Sequence, residues 1–269
     1  MVKYQGWADW PFRREDENLS IIDVVNFRTI DYKLAGLLWL LMEQRASVIV
    51  AAAPIWAGKT TLLHAMLDFL PPEIEQVTLQ GYYEDFKHLG KEKPENTYLV
   101  TEEISNHQYE YLWGYQVVKA FGLLPKGYAI GGTTHARSVK EVAYILNALG
   151  VPQEQIARLG AVVTMQVARG KYLDDEPIRY VDSVSMINLT DDGLVANMLA
   201  QRRLYDDELI YPPEKTLQGV LSGKFGAKYS SISAEIEARE RILKELGEKK
   251  STRDDVVKAV KEYYRAKRL

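Results

Sequence analysis

The chain has 269 residues, 46% of them hydrophobic, with 34 Lys and Arg against 37 Asp and Glu, a net charge of −3. This describes an ordinary protein with a sizeable core and gives no general electrostatic footprint for nucleic acid. There is no cysteine, so disulfides and Cys-based zinc sites are excluded; no apolar run is long enough to cross a bilayer, and the start lacks an apolar signal core.

Residues 7–20 are aromatic and charged, and 1–20 reads as an extended entry segment. Helical spacing follows at 21–27 and 32–44. The run 47–52 (SVIVAA) is apolar and β-branched, as suits a central parallel strand. Residues 61–70 (TLLHAMLDFL) have helical spacing and are closed by Pro71 and Pro72. Further strands are expected at 76–79, 97–101, 127–133, 161–167 and 178–189. Helices are expected at 109–121 and 138–149, and an acidic turn at 174–176. The alternation predicts an α/β fold with a mainly parallel sheet covered on both faces, its final strands open to an antiparallel arrangement. Composition shifts after about Lys224, and two charged helices are expected at 233–246 and 252–265, broken at Gly247. On the second, Val256, Val257, Val260 and Tyr264 are expected to pack inward, with the basic residues on the solvated face. The expected organisation is an entry segment (1–20), a core (21–224) and a C-terminal helical appendage (225–269).

Between the strand at 47–52 and its helix lies Ala53-Pro54-Ile55-Trp56-Ala57-Gly58-Lys59-Thr60. This is the phosphate-loop pattern G-x-x-x-x-G-K-[ST] with Ala in the first position. The backbone N–H groups of Ala57, Gly58, Lys59, Thr60 and Thr61 would cradle phosphates at a helix N-terminus. Lys59 would bring a point charge to the β- and γ-phosphates of ATP, and Thr60 would ligate Mg²⁺. Trp56 either covers a nucleotide base or fills the mouth of the site.

Two further strand ends carry chemistry. The segment 97–103 (TYLVTEE) ends on two carboxylates; Glu102 is placed to polarise a water, with Glu103 its neighbour on the opposite side of the strand. The segment 131–138 (GGTTHARS) ends a strand and opens a helix, which favours a functional His135. His64, His88 and His107 have no such context, read as structural or surface residues, and have no metal-site spacing.

With these motifs in place, the sequence resembles the ATPases of type II and type IV secretion systems and type IV pili, over roughly residues 11 to 265. AGLLWLL followed by SVIVAAAPIWAGKTTLLHAML is similar to the family's helix, strand and Walker A region. TYLVTEEIS resembles its Walker B strand, and GGTTHARSVKEVAYIL its His box. The segment 235–265 looks like the C-terminal helices of the archaeal and tight-adherence branches. The resemblance implies a RecA-like core that binds ATP and Mg²⁺. It puts Glu102 on the Walker B glutamate, Glu84 on the residue left from the Asp box, and His135 on the His-box histidine. It also implies a hexameric ring, of this chain or with a larger relative, at the cytoplasmic face of a membrane, against an inner-membrane platform protein. No nucleic-acid partner is expected.

The departures are specific. LQGYYE stands where the family has an acidic box, Ile104 and Ser105 where Arg and Asp usually follow Walker B, and Arg137 where the His box has Asn. On this reading the chain starts at what would be the linker, and the N-terminal domain that closes over the nucleotide is expected to be missing. The expectation is a slow or partner-dependent ATPase; the alternative is a degenerate nucleotide-binding scaffold.

Overall fold

The computed structural model describes residues 19–90, 93–168, 177–203 and 205–267. Most of the expected entry segment and the acidic turn at 174–176 therefore lie outside the described residues.

Helices α1 (Ile21–Asn26) and α2 (Tyr32–Glu43) precede β1 (Ser47–Ala51) and α3 (Lys59–Leu67). Then come β2 (Glu75–Thr78), β3 (Thr97–Ile104), α4 (Tyr115–Phe121), β4 (Ala129–Thr134), α5 (Val139–Ala148), α6 (Gln153–Ile156) and β5 (Leu159–Ala168). The chain continues through β6 (Ile178–Thr190), β7 (Gly193–Arg203), β8 (Glu208–Ile210), α7 (Glu214–Phe225), α8 (Ile232–Glu248) and α9 (Arg253–Lys267).

One sheet runs in the order β2-β3-β4-β1-β5-β6-β7-β8. The pairs from β2 to β5 are parallel and those from β5 to β8 antiparallel. Parallel strands need cover on both faces, and β1 shows why its sequence is apolar throughout: all five residues are buried. Val48 and Val50 face one core with α1, α2, α3, α7, α8 and α9, while Ile49 and Ala51 face a second with α4, α5 and α6.

The C-terminal helices expected as an appendage sit inside the first of these cores. Ile236 and Leu243 of α8 and Val256, Val260 and Tyr264 of α9 are buried there with Trp39 of α2. Tyr264 Oη donates 2.7 Å to Phe69 O and accepts from Trp39 Nε1 at 3.1 Å. Lys258, Lys261 and Arg265 of α9 are exposed, as its pattern predicts.

Some expectations change. The helix expected at 109–121 starts only at Tyr115, because the preceding backbone is engaged elsewhere: Tyr109 O accepts from Tyr82 N and Leu112 N donates to Glu103 O. Gly247 does not break a helix. α8 runs through it to Glu248, and the turn comes at Lys250, with φ 50°. Gly247 is there for its size, since a Cβ would stand 2.0 Å from Tyr32 Oη. β7, β8, α6 and α7 are additional elements; β7 is half exposed and lacks a clean alternation, so its pattern is weak.

Candidate functional site

Loop 53–60 leaves the C-terminal end of β1, flanked by β4 on one side and β5 on the other. That is the crevice where open α/β sheets take ligands, beyond the carboxyl ends of strands that diverge in order. Gly58 is the N-cap of α3 at φ 84°, a left-handed conformation glycine adopts without a Cβ penalty. No side chain caps this helix, which leaves its first N–H groups open to an anion. Trp56 also has a left-handed φ of 65°, and its indole is exposed. Its carbonyl accepts 2.6 Å from Arg179 Nε of β6.

Lys59 is only 7% exposed, and burial lowers its pKa from the ordinary lysine value, against the opposing charge of Glu103. Its Nζ lies 4.0 Å from Glu103 Oε2 and 3.5 Å from His135 Nδ1. A buried ammonium with one carboxylate at 4.0 Å is weakly compensated, and phosphate oxygens would supply the missing partners. Thr60 and Thr61 follow in the first turn of α3, both half-buried; Ala57 is fully buried. These residues fit a nucleotide phosphate chain with its Mg²⁺.

The two carboxylates of β3 reach different partners. Tyr98 and Val100 face the first core and Leu99 the second. Glu102 Oε1 lies 3.5 Å from His64 Nε2 on α3. Glu103 is 8% exposed and faces the loop, its Oε2 3.4 Å from His135 Nε2. The β3–β4 register shifts between Thr101 and Ile104, and the threonines of β4 hold the strand end: Thr133 Oγ1 donates 2.6 Å to Glu102 O and Thr134 Oγ1 3.0 Å to Ile104 O.

His135 follows β4 directly. Its Nδ1 is 3.1 Å from Ala53 O. A carbonyl only accepts, so this bond belongs to the tautomer with the proton on Nδ1, whereas a bond from Lys59 Nζ at 3.5 Å belongs to the other tautomer. His135 thus ties the β4 end to the start of loop 53–60.

Glu84 is placed differently. It is buried at 3%, and its two oxygens accept from Gln80 N at 2.8 Å and Phe86 N at 2.5 Å. It braces the 80–88 loop, with His88 Nδ1 3.5 Å from Oε1. Beside it Tyr82, Tyr83 and Tyr109 form an exposed ring cluster, with centroids 5.5 to 6.0 Å apart.

The structure therefore brings Lys59, Glu103 and His135 together, places Glu102 against His64, and keeps Glu84 within its own loop. Arg179 is an addition that no local pattern announces, since it reaches the loop from a strand 123 residues after Trp56. Glu102 and Glu103 reach different partners at a point where the β3–β4 register shifts, so simple strand alternation does not by itself give their directions.

No family model matches this chain. Among curated proteins, it is 25% identical over 275 residues to an uncharacterized protein of Methanocaldococcus jannaschii, covering 90% of this chain and 96% of that one. Among solved structures, it is similar to the VirB11 ATPase of the Brucella suis type IV secretion system in complex with sulphate, with TM-score 0.39 and 17% identity, over 65% of this chain and 55% of that one. The ATPase DotB of Legionella pneumophila matches with TM-score 0.37 and 10% identity, over 63% of this chain and 51% of that one. DotB of Yersinia pseudotuberculosis matches with TM-score 0.36 and 13% identity, over 84% and 60%. The chain thus spans between 51% and 60% of the length of these three solved proteins.

Proposed function

We propose that this chain binds ATP with Mg²⁺ in loop 53–60 and hydrolyses it, as a motor-type subunit of a secretion or type IV pilus-like machine built on a RecA-like core. The observation that carries the reading is the meeting of Lys59, Glu103 and His135 at the carboxyl end of the parallel strands, below a loop whose helix starts uncapped. The machine-level part rests on the likeness of the Walker A, Walker B and His-box segments.

In this reading the N–H groups of Ala57, Gly58, Lys59, Thr60 and Thr61 hold the phosphates and Lys59 neutralises them. Mg²⁺ on the Thr60 hydroxyl adds charge stabilisation. Glu103, the carboxylate facing Lys59, orients the attacking water, with Glu102 the alternative that the motif resemblance names. His135 registers the γ-phosphate and passes its state to β4 and to Ala53. Assembly into a ring, with copies of itself or a related ATPase, and docking on a platform protein at the inner face of the cell membrane belong to the same reading. Among the described residues no helix is long and apolar enough to cross a membrane.

One observation favours the scaffold alternative: both Glu84 oxygens are taken by backbone N–H groups, so the residue left from the acidic box is engaged in loop structure.

Calorimetry with ATP and Mg²⁺ on the wild type and Lys59→Ala, paired with a steady-state turnover assay, tests the reading. Saturable binding that Lys59→Ala abolishes, with measurable turnover, is the expected result. Unchanged affinity in Lys59→Ala would sink the phosphate-loop assignment. Binding without turnover under any assembly condition would give the site to the scaffold.

A further inference from the structure

Sequence spacing offers no metal site, yet the fold brings three possible ligands together here. Glu103 from the end of β3, His107 from the loop after it and His135 from the end of β4 present their donor atoms within 4.8 Å of one another. Glu103 Oε2 is 3.4 Å from His135 Nε2, and Glu103 Oε1 is 3.8 Å from His107 Nδ1. The two imidazoles meet edge to face at 5.8 Å.

Three features set this group apart from a surface ion pair. Glu103 Oε1 is fully buried and has no hydrogen-bond partner among the described residues, an arrangement that is costly unless something positive reaches it. His135 Nδ1 lies 3.1 Å from Ala53 O, and in the tautomer that donates to this carbonyl the Nε2 lone pair faces the carboxylate. A metal-bound histidine characteristically donates its other ring N–H to a backbone carbonyl, which fixes the tautomer and raises ligand basicity. Finally, Zn²⁺ bonds of 2.0–2.2 Å put tetrahedral ligands about 3.3–3.6 Å apart, close to the Glu103–His135 separation.

We propose that Glu103, His107 and His135 form a binding site for a borderline transition-metal dication of the Zn²⁺ class in the nucleotide-free protein. Two imidazoles and one carboxylate select such an ion over Mg²⁺, which takes oxygen ligands. The ion would join Glu103 Oε1 or Oε2, His135 Nε2 and His107 Nδ1, leaving a fourth position to water. His107 is mostly exposed and only weakly held by Ser105 Oγ at 3.4 Å, so its ring can turn inward to complete the set. Lys59 stands 4.0 Å from the same carboxylate and is the charged neighbour the ion would meet. The inference rests on these side chains and does not depend on nucleotide binding.

The test uses the full chain, stripped of nucleotide and metal, titrated with Zn²⁺ by calorimetry and with Co²⁺ by visible absorption. One saturable site is expected, with a tetrahedral-type Co²⁺ band that Zn²⁺ removes. His107→Ala, His135→Ala and Glu103→Gln should each weaken binding at least about tenfold, the scale of losses when a ligand's support is removed. His88→Ala should leave it unchanged. His107→Ala carries the most weight, because that exposed ring lies outside the phosphate-binding residues. The variant should keep the wild-type circular dichroism and the wild-type Mg²⁺–ATP affinity. Absence of saturable binding, binding that survives His107→Ala and His135→Ala, or binding lost in His88→Ala would overturn the assignment. None of these outcomes bears on whether Lys59 binds phosphate, which Lys59→Ala tests separately.

Discussion

Glu102 and Glu103 are adjacent in β3 and answer to different partners: Glu102 Oε1 lies 3.5 Å from His64 Nε2, whereas Glu103 Oε2 lies 3.4 Å from His135 Nε2 and 4.0 Å from Lys59 Nζ. One carboxylate lies against the middle of α3 at His64, and the other against its first residue, Lys59, and the end of β4 at His135. Adjacency in sequence thus conceals two environments.

This separation makes the catalytic assignment testable by a pair of isosteric changes. If Glu103 orients the attacking water, Glu103→Gln should keep ATP bound and lower turnover by roughly 10²- to 10⁴-fold, while Glu102→Gln has a smaller effect. Single-turnover kinetics on both variants reads the difference. A large loss confined to Glu102→Gln would move the role to Glu102, and wild-type rates in both would remove the pair from the chemistry.

How much of this was open to sequence reasoning depends on range. The strand, loop and helix of 47–70 are local, and the pattern predicts the course of all three. The course of β3 and β4 is equally local, so His135 and the Glu102–Glu103 pair are found as strand-end residues. What depends on tertiary approach is not legible. Arg179 reaches Trp56 O from β6, and His107 reaches Glu103 through the loop that Leu112 N ties back to Glu103 O. The opposite error arose at Gly247, where a residue that commonly ends helices is instead the one small enough to lie against Tyr32. Arg239 is a further case: a charged residue in the polar-looking α8 pattern is completely buried.

Arg239 and Glu43 form the ionic centre of the helical layer. The Arg239 guanidinium pairs with Glu43 and Glu235, and Glu43 also accepts from Tyr229 Oη and Lys267 Nζ, both at 2.8 Å. Burial pushes the Glu43 carboxyl up, but Arg239 and Lys267 outweigh it and hold its pKa below the usual value of 4.5. The folded protein therefore keeps this carboxylate ionised where the unfolded chain protonates it. The resulting stability is present above about pH 4.5 and is lost as the pH falls through the depressed folded value. Urea unfolding from pH 6 to pH 3 should show a steeper loss for wild type than for Glu43→Gln; parallel curves would refute the linkage. Arg239→Ala should cost about 3–5 kcal/mol at neutral pH by leaving Glu43 a poorly compensated buried charge.

The approach of α8 to α2 yields a second stability prediction, at Gly247. A Cβ there would stand 2.0 Å from Tyr32 Oη and 3.0 Å from Tyr32 Cζ, so Ala requires the ring or the helix to shift. Two effects oppose each other. Ala improves helix propensity by about 1 kcal/mol, while forcing atoms into a packed contact typically costs about 1–3 kcal/mol. Because Tyr32 is half-buried in the first core, the ring has limited room, and Gly247→Ala should be net destabilising. Tyr32→Phe removes the nearest atom, so the same substitution in that background should cost less, with a coupling energy of at least about 0.5 kcal/mol. Urea unfolding of the four proteins of this cycle gives the answer. If Gly247→Ala stabilises both backgrounds equally, the contact with Tyr32 is not what excludes a side chain, and the helix could carry alanine at that turn.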